Sequence, residues 1–133
     1  LRELNRVRAA RGLTPLRAAT GLRQAAFAHS AAMVLAGFFS HTSADGTPFH
    51  ERIRRSYGSR GWSSWSVGET LYASSGVSSA RAVVSSWLAS PPHREIVLAP
   101  GWRDVGVGVA ARPSAPGVFG GEPTVVVTAD FGL

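Results

Sequence analysis

The sequence has no cysteine and no lysine. Without cysteine there is no disulfide staple, no thiolate zinc site and no cysteine nucleophile. The fold therefore does not need oxidation, which leaves export from the cell open. No run of 18 apolar residues occurs, so a transmembrane helix is excluded. Repeats and low-complexity segments are also missing. The chain opens on Leu1-Arg2-Glu3-Leu4 without a leader, which reads as the interior of a longer precursor whose signal peptide has been removed. Acidic residues are few, eight against fourteen basic ones, for a net charge of +6. The arginines scatter from Arg2 to Arg112 and are densest at Arg52, Arg54 and Arg55. No basic helix and no aromatic-interleaved strand accompanies them, so nucleic acid is disfavoured as a partner. A length of 133 residues with 44% hydrophobic content suits one packed domain spanning residues 1–133.

What is present alternates helical and extended patterns. Leu4, Val7 and Arg8 fall at helical spacing within residues 1–11, and Gly12 is a natural stop. Leu13 to Leu16 reads as an extended link. Thr20 or Gly21 opens a second helix running to about Gly37. Its stripe of Leu22, Ala25, Ala26, His29, Met33 and Ala36 is joined by Phe27, Ala31, Val34 and Leu35 on another side. That predicts a helix buried on most sides, with His29 a satisfied core residue. Phe49 to Tyr57 reads as a short helix with its arginines outward, and 58–66 as a polar loop holding Trp62 and Trp65. Val67 to Ala73 is a short strand or extended segment. Glu69 there shares a face with Val67 and Leu71, and a carboxylate so placed needs a partner. Asp45, His50 and Glu51 read as turn or surface residues.

Ser78 or Ser79 caps a helix through Ala80, Val83, Val84, Trp87 and Leu88. Pro91 and Pro92 end it, because each lacks an N–H. Pro92 suits the start of the next helix, which puts His93 in a first helical turn. Val105, Val107 and Val109 alternate with Gly106 and Gly108, valine on one strand face and glycine on the other. Glycine on one face marks close approach by another element. A second strand from Thr124 to Ala129, closed by Asp130-Phe131-Gly132, suits an antiparallel pair with it. The class is α+β, with helices flanking a small antiparallel sheet.

These pieces resemble the CAP superfamily, the SCP-like domain of cysteine-rich secretory proteins, antigen 5 and plant pathogenesis-related protein 1, in its bacterial, cysteine-free branch. The likeness runs through Leu4-Asn5-Arg6-Val7-Arg8, Leu13-Thr14-Pro15-Leu16, Ala28-His29-Ser30 with Met33, and Phe39-Ser40-His41 with Gly46. It continues through Gly68-Glu69, Trp87 with Ser90-Pro91-Pro92-His93-Arg94, Val105-Gly106-Val107-Gly108 and Asp130-Phe131-Gly132. The resemblance implies a three-layer α-β-α sandwich, a monomer, and an extracellular or cell-envelope location. It also implies a cavity of two histidines and two acidic residues able to hold a divalent metal. His41, Glu69 and His93 match three of these positions. The family's second glutamate follows the tryptophan by three residues, where this chain has Ser90; Glu95 is the candidate for its place.

Two imidazoles and a carboxylate form a zinc ligand set with an open position for water, so zinc is the metal expected and hydrolysis the chemistry it would support. A nucleophilic Ser40 or Ser90 with a histidine base is a weaker alternative, since neither serine sits in a Gly-x-Ser-x-Gly setting. The competing class is a binding module for a lipid, glycan or protein, with Trp62, Trp65 and Tyr72 as an aromatic rim. The binding module is the primary expectation and the metal-dependent hydrolase the alternative.

Overall fold

A computed structural model of the chain describes residues 1–58 and 64–133. Five helices surround one sheet: α1 (Arg2–Ala9), α2 (Thr20–Ala36), α3 (Phe49–Arg54), α4 (Ala80–Ala89) and α5 (Pro91–Leu98). The strands are β1 (Arg17–Ala18), β2 (Val67–Ser75), β3 (Asp104–Arg112) and β4 (Thr124–Gly132), in spatial order β1-β3-β4-β2. β4 pairs antiparallel with both β2 and β3, while the two-residue β1 adds in parallel to β3. The sheet is therefore mixed rather than purely antiparallel. Two residues are too short for a periodic signal, so β1 is invisible in the sequence.

The alternation of β4 sorts the core into two layers. Val127, Ala129 and Phe131 face α1, α4 and α5, where they meet Leu4, Val7, Val84, Trp87 and Val97. Val126 faces α2 and meets Met33, Val34 and Leu71. A central strand covered on both faces must be apolar throughout, which explains the unbroken valine run. α2 lies directly on β3, and a Cβ on Gly108 would come within 2.1 Å of the Phe27 nitrogen. The glycine face of the Val-Gly repeat is thus the seat of α2. This helix is buried on one side only: Phe27 and Leu35 are exposed, against the expectation of burial on most sides. The sheet covers one face of α2, and no described element covers the other.

Two ties hold the site-bearing segments. Arg8 is fully buried, and its guanidinium donates to the carbonyls of Val97 and Ala99 at the end of α5. A cation at a helix C-terminus meets carbonyls that lack intrahelical partners. The α4–α5 corner forms as the prolines demand, with Ser90 at the cap of α5 and Pro91 and Pro92 in its first turn.

Candidate functional site

The site lies at the β2 edge of the sheet, where the Gly68-Glu69 pair turns opposite faces to opposite layers. On one face a Cβ at Gly68 would strike the Trp102 ring at 2.8 Å and Ile96 at 3.3 Å, so glycine lets α5 and Trp102 close on the strand. On the other face the Glu69 side chain is completely buried.

Glu69 is held at both oxygens. His41 Nδ1 lies 2.8 Å from Oε1, and Arg52 Nη2 donates to Oε2. Facing a carboxylate flanked by a guanidinium, Nδ1 carries the proton and donates. The tautomer is thereby fixed, and Nε2 of His41 is left as an acceptor. Nearly half of the His41 side chain (48%) is open to solvent, so this acceptor is presented to the outside.

Arg52 also braces the loop that delivers His41. Its Nη1 donates to the His41 carbonyl at 3.2 Å and to the Ser43 hydroxyl at 3.0 Å. His29 fixes the same loop from inside, its Nε2 lying 2.8 Å from the Ser40 carbonyl oxygen. His29 is thus the satisfied core histidine expected, and burial holds its pKa below the ordinary histidine value. Arg52 corrects the expectation of outward arginines on α3. Its side chain is only 11% exposed, because the buried Glu69 draws it inward.

His93 enters from the opposite layer, in the first turn of α5 and partly buried. Burial first, and then the charge of His41, push its pKa down. Both effects favour the neutral form of the His93 imidazole, the state in which it can act as a ligand.

Asp130 completes the site and was not singled out from the sequence. It pairs directly opposite Glu69 in the β2–β4 register and is fully buried. Neither of its oxygens meets a hydrogen-bond donor. The group facing it is the Glu69 carboxylate, so the two acids can bond only by sharing a proton. Burial, and then the negative charge of Glu69, hold Asp130 well above the ordinary aspartate pKa, while Arg52 acts in the opposite sense. The native state therefore binds a proton that the unfolded chain releases. This contribution to stability is complete below the unfolded value of about 4 and is lost as pH rises toward the folded pKa. Asp130→Asn keeps the shape without the charge. In urea unfolding it should gain roughly 1–3 kcal/mol over wild type at pH 7 and nothing at pH 4. A stability difference that does not change with pH would show that Asp130 does not carry the proton.

Other expected site residues are placed elsewhere. Glu95 is exposed. At about 100° per residue it lies some 200° around α5 from His93, which turns it away from the cleft. Ser90 serves as the α5 cap position without a side-chain cap bond. Tyr72 is three residues beyond Glu69 on a strand and so faces the other layer, with its hydroxyl on Ser78. Trp65 donates to the Tyr57 carbonyl and lies beneath the Arg54 guanidinium, packed on the Leu22–Ile53 cluster as core cover. Trp62 lies outside the described residues. Among the described residues no three His, Asp or Glu side chains are grouped to hold a metal ion. Each Glu69 oxygen already accepts one hydrogen bond and the side chain is wholly buried, so it is not open to an ion from solvent. What the geometry provides is the His41 imidazole oriented by the buried Glu69 behind it.

The helices on both faces of the four-stranded sheet define an α-β-α sandwich. The chain belongs to the cysteine-rich secretory protein family, CAP, whose sequence model matches residues 1–131. Among solved structures it is similar to an extracellular SCP-domain protein from Bacillus anthracis, with a TM-score of 0.71 and 25% identity over 96% of this chain. The chain spans 37% of that protein's length. An outer surface protein from Borrelia burgdorferi shares the fold at a TM-score of 0.68 and 22% identity, covering 98% of this chain and 86% of its own. A cysteine-rich secretory protein from Staphylococcus aureus does so at a TM-score of 0.62 and 13% identity, over 96% of this chain and 35% of its own. No curated protein sequence matches the chain. No described helix is long and apolar enough to cross a membrane.

Proposed function

We propose that the protein is a secreted or cell-envelope binding module whose ligand-facing cleft is the His41–His93 pair backed by Glu69. One observation carries this reading. Glu69 is fully engaged by Arg52 and His41, so the cleft offers imidazole nitrogen rather than a free carboxylate base. Neither candidate serine is activated: the Ser40 hydroxyl accepts the Thr42 N–H in an exposed turn, and Ser90 is a helix cap. The extracellular and outer-surface descriptions of the similar proteins support the location.

The donor set also favours a divalent cation, zinc by the preference of imidazole. His41 and His93 would hold it, with Glu69 fixing the His41 ring through Nδ1. Bound there, zinc would polarise a carbonyl or activate water, which is the hydrolase alternative. Zinc titration by calorimetry at neutral pH separates the cases. We expect one saturable site in the wild type, abolished in His41→Ala and in His93→Ala, and weakened about 10–100-fold in Glu69→Gln. A site that survives His93→Ala would refute the two-imidazole assignment.

One feature favours an apolar ligand as a second reading. A cavity of about 170 Å³ opens between α4 and the sheet, lined mainly by Val83, Val84, Trp87, Val107, Val125 and Val127. Its walls suit an acyl chain rather than a glycan.

A further inference from the structure

The sheet has an edge that no described strand covers beyond the end of β1. β1 pairs only with Asp104 and Val105, although β3 continues to Arg112. The carbonyls of Arg103 and Val105 point outward, where they accept from the backbone of Arg17 and Ala19. By the period of two, Val107, Val109 and Ala111 point their N–H and C=O groups to the same side. No described strand receives them. Exposed edges are ordinarily blunted by charge, proline or a bulge. The stretch from Val105 to Ala111 has none of these: it is Val-Gly-Val-Gly-Val-Ala-Ala, paired without interruption to β4.

α2 runs alongside this edge and forms one wall of a groove. Leu22 and Arg23 sit over Gly106, Ala26 and Phe27 over Gly108, and the Leu35 carbonyl accepts from Arg112. Two adjoining grooves, of about 240 and 250 Å³, share Arg23 and Val107 and contain no acidic side chain. Phe27 (55%) and Val109 (52%) are large apolar side chains left exposed in the second groove, and Leu35 (63%) is exposed about two turns further along α2.

We propose that this edge is a peptide-binding site, where an extended segment of a partner protein adds as a strand to β3 beyond the end of β1. Backbone pairing to Val107, Val109 and Ala111 supplies the register. Phe27 and Leu35 take the partner's apolar side chains on the α2 face, and Arg23 takes an acidic residue near Gly106. The site lies two strands from Glu69, because β3 and β2 flank β4 on opposite sides. It is thus independent of the histidine cleft.

The probe is a blocked synthetic heptapeptide, Glu-Val-Thr-Val-Thr-Val-Glu, titrated into the ¹⁵N-labelled protein. We expect saturable binding with new hydrogen-exchange protection at the amides of Val107, Val109 and Ala111. Val109→Pro removes an outward N–H, which an edge strand tolerates, and should abolish binding with the fold intact. Phe27→Ser, at an exposed position, should weaken it about tenfold, the loss of one anchor. Arg23→Glu should weaken it similarly and remove its salt dependence. Unprotected edge amides, or undiminished binding in both Val109→Pro and Phe27→Ser, would overturn the proposal. So would a Val109-dependent dimer of the protein alone in sedimentation, which would assign the edge to a second copy of the chain.

Discussion

Arg52→Ala is expected to cost about 3–5 kcal/mol in urea unfolding at pH 7, as for removal of one partner from a buried ion pair. The reason is the position of Glu69, whose side chain is wholly buried and retains only the His41 contact once the guanidinium is gone. Across the ladder it faces Asp130, whose shared proton leaves the negative charge of the pair without a cation. The same guanidinium bridges the His41 carbonyl and Ser43, so its loss also frees the loop that carries His41. Lysine should not rescue it, since a single ammonium cannot reproduce a fork that binds a carboxylate, a carbonyl and a hydroxyl at once. Arg54 is the control. It is exposed and stacks on Trp65, and Arg54→Ala should cost no more than about 1 kcal/mol. Equal costs for the two variants would mean that the Arg52–Glu69 pair does not hold the cleft.

Gly108→Val should prevent cooperative folding or cost more than about 4 kcal/mol, at the extreme of single substitutions. A Cβ at this position would lie 2.1 Å from the Phe27 nitrogen and 2.3 Å from the Ala26 carbonyl carbon. These are backbone atoms in mid-helix, so relief requires α2 to lift from the sheet. That movement would expose the Met33–Val126 cluster and displace His29, which holds the Ser40 carbonyl beneath His41. Gly101→Ala is the comparison, because a Cβ there meets nothing within 4 Å and the backbone is not left-handed. Thermal melts followed by circular dichroism should show a lost or strongly lowered transition for the first and no change for the second. A wild-type melt for Gly108→Val would contradict the close seating of α2.

The sequence was most legible where local pattern and burial agree. The Val-Gly alternation announced the strand and a close approach on its glycine face, which the structure gives to the backbone of α2. Of the two serines that could cap α4 the structure uses Ser79, and Gly37 ends α2 about where the pattern put it. His41, Glu69 and His93 were singled out through family resemblance, since residues so far apart in the chain carry no spacing signal of their own. Arg52 and Asp130 were missed for different physical reasons. Arg52 looked like one of several surface arginines on a short helix, and only the buried carboxylate explains why it turns inward. Asp130 read as the end of an apolar strand, and its partner is defined by strand register, which no local window contains. One signal was available: its period-two phase in β4 places it on the face of Val126 and Thr128, which becomes the α2 side once the sheet is built. Tyr72 was chosen by adjacency in sequence, and three residues along a strand carry it to the face opposite Glu69.

The central claim is that Glu69 locks His41 as the Nδ1–H tautomer and presents Nε2 to ligands. Long-range ¹H–¹⁵N spectra of the imidazole side chains at neutral pH read this directly. We expect a protonated Nδ1 and an unprotonated Nε2 for His41, with the preference lost in Glu69→Ala. A His41 protonated at Nε2, or an unchanged tautomer in Glu69→Ala, would contradict it.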